Sequence, residues 1–529
     1  MKTRIMIAAL ACAFGGSAQA EKTALPGGGW LELDKAGLHL LSADGKQRAM
    51  LPMRARQFDV RPGAPGASSG VGAGQVLAIV IDANSEHVVP VVADLAAGTL
   101  AARSPLPPPA SGAGAACLYR DGQRIDHVFQ SARDGQAEQW LLNGATPQLV
   151  RKLALPPHLK HCNVDDASAT LRVDEPGLGT WAYYAEAEDA GWRKLLATRT
   201  AAAKPPRAAA ALVTPRVQTE PVPRLGDAAD DPAIWINPRN PSDSRVLGTN
   251  KKQGLLVYDM QGRQTQLLES GRVNNVDLRQ NVDLGGARGD YALATQRDEN
   301  SMVLYTIAAD GKVAEADRFA TPLENIYGTC LYQPPGGALE AFVNDKDGTY
   351  LHYRISHDGK AYSARLLRRF KLASQPEGCV ADDHSGRLFM GEEKRGVWAA
   401  SASADKPDAP RLLLPVGASL KADVEGMAIY RGASASYLVV SSQGDSSYVV
   451  MDAAAPHSVR GRFRIGVNLE AMIDGASETD GLDVTSVNLG GPFTGGMLVV
   501  QDGHKRLPDG PQNFKYVAWD DVAKALNLP

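Results

Sequence analysis

The sequence predicts an all-β protein, in which a six-bladed β-propeller is preceded by a partial propeller-like domain. Short apolar segments in the first half are separated by turn pairs such as Asp44-Gly45, Asp121-Gly122 and Asp134-Gly135, a texture with little helical periodicity. In the second half, short motifs return at intervals of about 50 residues. Parts of the first half also match the second half at a nearly constant offset. A repeated four-stranded unit, duplicated in part, accounts for these three observations.

Length and charge limit the possible functions. The chain of 529 residues exceeds one ordinary hydrophobic core and predicts two domains. Its 56 Lys and Arg residues nearly balance 59 Asp and Glu residues, giving a net charge of -3. This balance provides no general field for nucleic acid or an anionic membrane, so neither is an expected partner. Any anionic substrate must therefore bind at a local basic site.

Residues 1–20 have the charged, apolar and small-residue regions of a secretory signal peptide. These regions are Met1-Lys-Thr-Arg4, the run from Ile5 to Phe14, and Ala18-Gln-Ala20. No later apolar run is long enough to span a bilayer. We therefore expect an exported protein, either secreted or periplasmic.

The repeated motifs of the second half each stand where a predicted strand begins. They are Asp230-Asp231, Asn275-Val276, Tyr327-Gly328, Glu377-Gly378, Glu425-Gly426 and Asp480-Gly481. The interval suits one four-stranded blade, and six occurrences predict six blades. Because each blade carries its first strand along the central channel, these side chains are expected to ring one mouth of the channel.

Four of the six repeated positions are acidic, which predicts a cation site. Carboxylates packed in a ring repel one another unless cations lie between them, and oxygen ligands alone favour calcium over zinc or copper. The alternative is that these acids occupy ordinary turns beside glycine. The constant period makes that alternative the weaker account.

Basic residues are expected at the same mouth of the channel: Lys251, Lys252, Arg297 and Lys346. Arg can bind a phosphate through two hydrogen bonds, while Lys supplies a compact charge. Taken singly, each is also compatible with a solvated surface residue. Beside the acidic ring, they predict a site for a polyanion held by metal ions and cationic side chains together.

The second half resembles the β-propeller phytases, also called alkaline phytases, from about Thr219 to the C-terminus. The likeness is carried by Asp-Asp-Pro-Ala-Ile-Trp (230–235), Thr-Asn-Lys-Lys (249–252), Asn-Asn-Val-Asp (274–277), Glu-Gly (377–378), Ala-Asp-Asp (381–383), Asp423-Val-Glu-Gly, Ser441-Ser-Gln-Gly, Thr479-Asp-Gly and Asn513-Phe-Lys. The resemblance implies a calcium-dependent phosphomonoesterase that hydrolyses phytate, inositol hexakisphosphate, and other inositol phosphates.

The resemblance also implies roles for individual residues. The active-site calcium ligands would be Asp230, Glu377, Glu393, Asp423, Glu425 and Asp480. Lys251, Arg297 and Lys346 would bind phosphate, with Tyr327 lining the same site. A calcium-bound water would attack phosphorus directly, without a phosphoenzyme.

Structural calcium is implied at Asp231 and Asp474 by the same resemblance. Two positions depart from the family pattern. Gln218 stands where a carboxylate is expected, which weakens one structural site, and Asp347 replaces an expected glutamate beside Lys346.

The first half reads as a damaged copy of the second. Cys162-Asn-Val-Asp-Asp166 matches Cys379-Val-Ala-Asp-Asp383 at an offset of 217 (379 − 162). At this offset Lys160 replaces Glu377 and Pro176 replaces Glu393, so the chemical positions are lost. An open propeller leaves strand edges to be covered, and the domain is expected to dock on the catalytic domain or on another chain.

The predicted organisation after the signal therefore has three segments. Residues 21–200 form a noncatalytic partial propeller, and residues 201–215 form a linker rich in Ala and Pro. Residues 216–529 form the catalytic six-bladed propeller.

Four cysteines remain after the signal, and an even count in an exported protein predicts disulfides. Cys117 is expected to pair with Cys162, and Cys330 with Cys379, because each pair spans about one blade at matching places in the two halves. Buried free thiols are the alternative, since Cys also serves as a small apolar residue.

Two further functions remain open from the sequence. One is a calcium-dependent lactonase or related hydrolase with the propeller fold, and the other is a calcium-dependent protein that binds inositol phosphates without turnover. The basic residues around the acidic ring favour phosphate over a lactone.

Overall fold

A computed structural model describes residues 21–144, 146–188, 193–198 and 210–529. The predicted signal peptide and residues 201–209 of the predicted linker lie outside the described residues. The chain divides into two compact units, one made of Met1–Pro109 with Ala113–Thr200 and the other of Ala110–Gly112 with Ala201–Pro529.

The first unit consists of antiparallel sheets with their strands in sequence order. Its described strands form the sheets β1–β4, β5–β8, β9–β12 and β13–β16. The strands are β1 (Glu21–Ala24), β2 (Trp30–Leu33), β3 (Gly37–Leu41), β4 (Gln47–Pro52), β5 (Ala55–Pro62), β6 (Gln75–Asp82), β7 (Val88–Asp94), β8 (Thr99–Ala102), β9 (Ala113–Arg120), β10 (Asp126–Ala132), β11 (Gln136–Asn143), β12 (Thr146–Ala154), β13 (Cys162–Asp165), β14 (Thr170–Glu175), β15 (Gly179–Tyr184) and β16 (Arg193–Thr198).

Apolar cores lie between successive sheets of the first unit. Leu38 and Val80 belong to the core between the first and second sheets, Ile79 and Leu118 to the next, and Phe129 to the core facing the fourth sheet. Within the described part of this unit, three cores thus join four sheets. This is the arrangement of an open propeller, and the prediction of a partial propeller is confirmed.

The second unit contains the remaining strands. They are β17 (Ala211–Val213), β18 (Val217–Gln218), β19 (Ala229–Trp235), β20 (Arg245–Asn250), β21 (Gly254–Tyr258), β22 (Gln264–Leu268), β23 (Val273–Asp283), β24 (Arg288–Gln296), β25 (Ser301–Ile307), β26 (Val313–Ala320), β27 (Ile326–Tyr332), β28 (Glu340–Asp345), β29 (Thr349–His357), β30 (Tyr362–Lys371), β31 (Pro376–Asp382), β32 (Arg387–Glu392), β33 (Gly396–Ser401), β34 (Arg411–Pro415), β35 (Val424–Arg431), β36 (Ser436–Ser442), β37 (Ser447–Asp452), β38 (Val459–Ile465), β39 (Leu482–Thr485), β40 (Met497–Asp502) and β41 (Asn513–Ala518).

Six blades form a closed ring in this unit. Blades 1 to 4 are β19–β22, β23–β26, β27–β30 and β31–β34, blade 5 is β35–β38 with β17 beside β38, and blade 6 is β39–β41 with β18 beside β41. The first strands β19, β23, β27, β31, β35 and β39 contact one another in order, and β39 contacts β19. An apolar core fills each of the six junctions between blades. The prediction of a six-bladed propeller is confirmed.

A strand from the start of this unit pairs with a strand near its C-terminal end and thereby closes the ring. Val217 and Gln218 of β18 pair antiparallel with Tyr516 and Lys515 of β41, so the outermost strand of blade 6 comes from the start of the unit. Helix α1 (Trp519–Leu526) follows β41 and packs against β17 and β38.

Both predicted disulfides are present. Cys117 and Cys162 have their Cα atoms 5.8 Å apart, and Cys330 and Cys379 have theirs 5.6 Å apart, within the usual range. Each bond joins the first strands of two neighbouring sheets, β9 to β13 and β27 to β31. The predicted pairing is confirmed.

Among the described residues, the longest stretch of α-helix is the eight-residue α1, and no helix has the length and apolarity to cross a membrane.

Candidate functional site

The topology of each blade brings two kinds of position to one end of the propeller. In an antiparallel sheet, the start of the first strand lies beside the end of the second strand. The second strands of blades 1 to 3 are followed directly by Lys251, Arg297 and Lys346, and those of blades 4 and 5 by Glu393 and Gln443. We call this end of the second unit, where the repeated acidic positions also stand, the rim.

The repeated motifs lie in β-bulges. The register of the first strand shifts across Asp230-Asp231, Asn274-Asn275, Tyr327-Gly328, Glu377-Gly378 and Glu425-Gly426 in blades 1 to 5. In blade 2 the prediction of Asn275-Val276 was wrong by one residue, because Val276 already pairs with Ala294 in the ladder. A bulge leaves its residues out of the ladder and re-aims a side chain, as is common beside active sites. The same local device therefore turns a rim side chain inward in five blades.

Glycine follows the rim residue where bulges of neighbouring blades meet. A Cβ on Gly328 would lie 2.0 Å from the Glu377 carbonyl oxygen, and a Cβ on Gly378 would lie 2.4 Å from that of Glu425. Such approaches exclude any side chain at these positions. The glycine of each pair is thus required by the packing of neighbouring blades, while the residue before it supplies the side chain at the rim.

Three buried glutamates form a compact cluster at the rim. Glu377, Glu393 and Glu425 can each place a carboxylate oxygen within 4.8 Å of the others. Burial, followed by repulsion from Glu377, raises the pKa of Glu393 to about 7 and raises that of Glu425 strongly. This buried acidic cluster could hold a metal ion.

Lys251 lies among aspartates on the neighbouring part of the rim. Its Nζ is 2.7 Å from Asp227 Oδ1, 3.0 Å from Asp230 Oδ1 and 2.8 Å from Asp480 Oδ2. Burial opposes protonation of Lys251, but these carboxylates raise its pKa well above the ordinary value. For Asp230 the signs are reversed: burial raises its pKa to about 6, although the positive charge of Lys251 acts to lower it.

Several carboxylate oxygens at the rim are left for a cation. Neither oxygen of Asp230 nor Oε2 of Glu425 receives a hydrogen bond within the described part of the chain. Lys251 forms an ion pair with Asp230, with Nζ 3.0 Å from Oδ1. Buried oxygens of this kind suit a hard cation, so the residues present fit calcium. Asp423, also predicted as a ligand, forms an ion pair with Lys394.

Neutral amides hold several of the acidic side chains, and these amides were not among the predicted site residues. Asn274 Nδ2 donates to Glu377 Oε1 at 2.8 Å. Gln375 Nε2 donates to Glu393 Oε1 and Gln443 Nε2 to Asp480 Oδ1, both at 2.5 Å. An amide orients a carboxylate without adding a competing charge. Their positions two residues or less from a predicted site residue, or within a quoted motif, were the available signal.

The cationic side chains of blades 2 and 3 converge on Tyr327. Lys346 Nζ lies 3.8 Å from the centroid of the Tyr327 ring, and the Arg297 guanidinium carbon lies 5.5 Å from it. Burial, followed by repulsion from Arg297, lowers the pKa of Lys346. Burial and the nearby glutamates raise the pKa of Tyr327 well above its ordinary value, so its ring is neutral and attracts cations through its face. Cations and carboxylates thus occupy adjoining parts of the rim.

A sequence model of the phytase family matches residues 193–528. The chain belongs to the phytase family. It is also 38% identical over 332 residues to the 3-phytase of Bacillus subtilis (strain 168), with 59% of this chain and 85% of the relative covered. The family resemblance and the prediction of a phytase are confirmed.

A solved structure, that of Saccharomyces cerevisiae Sqt1, gives a TM-score of 0.31 at 10% identity, with 73% of this chain and 93% of the other covered. A likeness this weak indicates nothing about the phytase site.

Two further predicted residues of this phytase, Asp231 and Lys252, have other partners. Asp231 lines a cavity of about 410 Å³ together with Asp277 and Asp483, and its Oδ2 accepts from the backbone N–H of Val276 at 3.1 Å. Lys252, predicted to bind substrate, donates from Nζ to the carbonyl oxygen of Leu225 at 2.7 Å.

Asp474, predicted as a structural calcium ligand of the phytase, lies beside the fully buried Lys515. Lys515 Nζ is 2.7 Å from Asp474 Oδ1, 2.9 Å from Gln218 Oε1 and 3.0 Å from Asn513 Oδ1. It is also 3.1 Å from Asp502 Oδ2. An ammonium group therefore lies among these oxygens.

Proposed function

We propose that this protein is an exported, calcium-dependent phosphomonoesterase that hydrolyses phytate and other inositol phosphates. The observation that supports it best is the contiguity, at one rim, of a buried glutamate cluster and three cationic side chains. A polyanion with several phosphates needs positive charge from more than one source, and this rim combines cationic side chains with carboxylates suited to metal ions.

The calcium ligands proposed for the active site are the rim carboxylates Asp230, Glu377, Glu393, Asp423, Glu425 and Asp480. When bound, calcium neutralises phosphate charge and acidifies water that attacks phosphorus. The protein contributes orientation, because the amides of Asn274, Gln375 and Gln443 fix three of these carboxylates. Structural calcium at Asp231 is a separate part of the proposal. The residues around Asp474 do not fit a calcium ion, because the Lys515 ammonium already lies among their oxygens.

Phosphate binding is assigned to Lys251, Arg297 and Lys346, with Lys252 at the edge of the site. Arg297 and Lys346 flank the Tyr327 ring, which keeps two cations near each other in spite of their mutual repulsion. Lys251 has three carboxylate partners, so it becomes available to an anion when those carboxylates are neutralised otherwise. Tyr327 is proposed as part of the substrate-binding wall.

The first unit is proposed to be noncatalytic. The positions that correspond to Glu377 and Glu393 are Lys160 and Pro176, which supply no metal ligand. Export is supported by the two disulfides, because such bonds persist in oxidising compartments. The signal peptide proposed to direct it lies outside the described residues.

The test is phosphate release from phytate by full-length protein after dialysis against a chelator, with and without added calcium. We expect activity to disappear on dialysis and to return with calcium. Full turnover after exhaustive removal of calcium would contradict the metal proposal. Tight binding of inositol phosphate without release of phosphate would favour a binding protein.

A further inference from the structure

Asn274 is a fully buried amide in the bulge at the start of β23, with 0% of its surface exposed. Its Nδ2 donates to Glu377 Oε1 and to Asn275 Oδ1, both at 2.8 Å. Its Oδ1 accepts from Arg297 Nη1 at 3.1 Å. One side chain therefore joins a carboxylate of the glutamate cluster to a cationic side chain of the phosphate-binding part of the rim.

An amide suits this place because it offers a donor and an acceptor at once. Glu377 requires a donor, and Arg297 requires an acceptor. A carboxylate at position 274 would repel Glu377, and an ammonium would repel Arg297. Because the amide is buried, losing either partner would leave a polar group unsatisfied, which makes the paired arrangement strongly preferred.

We propose that Asn274 is a positioning residue that couples the acidic cluster to Arg297, so that cation binding and phosphate binding reinforce each other. The inference rests on the roles proposed above for Glu377 and Arg297. Asn274 acts through its two partners and does not touch the substrate, since its side chain is not exposed. Fixing Glu377 in one orientation holds the amide, and the amide holds the guanidinium.

This coupling must be reciprocal. If calcium strengthens phosphate binding through Asn274, phosphate strengthens calcium binding by the same factor. The amide of Gln375 provides a comparison, because it donates to Glu393 in the same cluster. Gln375 is thus expected to orient an acid without transmitting anything to Arg297.

The test uses full-length Asn274→Ala and two measurements. Calcium affinity is measured by calorimetry in the absence of phosphate, and the inhibition constant of inorganic phosphate is measured at saturating calcium. We expect calcium affinity to fall about tenfold. We expect the phosphate inhibition constant to rise at least about fivefold, and this rise to be absent when Arg297→Ala is already present.

Gln375→Ala is the matched control, for which we expect weaker calcium binding and an unchanged phosphate inhibition constant at saturating calcium. The proposal is overturned if Asn274→Ala behaves like this control, or if its effect on phosphate adds fully to that of Arg297→Ala. A wild-type protein that neither binds calcium nor releases phosphate would instead overturn the proposed function.

A second variant tests the link if Asn274→Ala fails to fold. Arg297→Lys keeps the charge and removes the guanidinium that fixes the Asn274 carbonyl oxygen. We expect calcium affinity without phosphate to fall at least about fivefold. An unchanged calcium affinity overturns the proposal, because direct electrostatics would be unaltered by this substitution.

Discussion

Arg61 in the first unit and Arg279 in the second make the same hydrogen bonds. Arg61 Nε donates to Asp166 at 2.9 Å and its Nη2 to the carbonyl oxygen of Leu118 at 2.8 Å. Arg279 Nε donates to Asp383 at 2.8 Å and its Nη2 to the carbonyl oxygen of Leu331 at 2.7 Å. Each arginine thereby joins three consecutive sheets of its unit, which supports an origin of the first unit by partial duplication.

Removing either arginine should destabilise its own unit. Arg279→Ala leaves Asp277 and Asp383 without their cation, and we expect a loss of about 3 kcal/mol or more. Hydrogen exchange should rise in β27 and β31 of this variant, and in β9 and β13 of Arg61→Ala. Arg288→Ala is the control, because its pair with Asp283 is exposed and screened by water and should contribute little to stability. Equal effects of Arg279→Ala and Arg288→Ala would contradict the prediction.

Catalysis should depend on Glu377 and not on its counterpart Lys160. Glu377→Gln removes the charge of a proposed calcium ligand that Asn274 orients, and we expect phosphate release from phytate to fall about 100-fold. Lys160→Ala should leave the rate nearly unchanged, because its position in the first unit carries no ligand. Steady-state rates of the two variants at saturating calcium provide the measurement. Comparable losses of phosphate release in both variants would contradict the assignment of catalysis to the second unit.

Calcium should stabilise the protein more at higher pH. Burial raises the pKa of Asp230 to about 6 and that of Glu393 to about 7 in the metal-free fold. A folded pKa above the unfolded value contributes stability that is complete below the unfolded pKa and is lost as pH rises through the folded pKa. The free energy of unfolding of the metal-free protein should therefore fall as the pH rises from about 4 to about 7.

Calorimetry of dialysed and calcium-loaded protein checks this pH dependence. We expect the difference in Tm between the two forms to be at least about 5 °C larger at pH near 8 than at pH near 5. A difference that is constant or shrinks with rising pH would show that the rim carboxylates do not carry the calcium effect.

The disulfide of the second unit should matter for stability more than for chemistry. Cys330→Ala with Cys379→Ala opens a loop with a sequence separation of 49, and the chain-entropy model gives a loss of about 4 kcal/mol as an upper value. Guanidinium unfolding measures the loss. The matched pair Cys117→Ala with Cys162→Ala should lower stability of the first unit while phosphate release stays at the wild-type rate. If this second double variant is folded and still releases phosphate more slowly than wild type, the prediction is wrong.

The fold could be predicted because its signals are local and periodic. Acid-glycine pairs such as Glu377-Gly378 recur at the same position in blades 4, 5 and 6, because the close approach to the next blade recurs there. The cysteine pairing followed from the same period. These features are written in the spacing of residues along the chain.

The partners of the site residues could not be read in this way. Lys251 meets Asp480, which is 229 residues away, and Asn274 meets Glu377 across blades. Such contacts depend on how the ring closes and on which rotamers burial permits. The spacing of residues along the chain determines neither of these. Lys515 ends the quoted motif Asn513-Phe-Lys, but its place among the oxygens near Asp474 was not predicted, because a lysine in a strand gives no sign that its ammonium will be buried.

The pairing of β18 with β41 has a consequence for synthesis. Gln218 leaves the ribosome 297 residues before its partner Lys515, so the ring cannot close until almost the whole chain has been made. Until then, blade 1 and blade 5 present apolar faces whose covering residues on β40 and β41 do not yet exist. A truncated chain that ends before β41 would leave these two apolar faces exposed. Such a chain would be prone to aggregation and would be bound by chaperones or degraded by proteases before it could bind substrate.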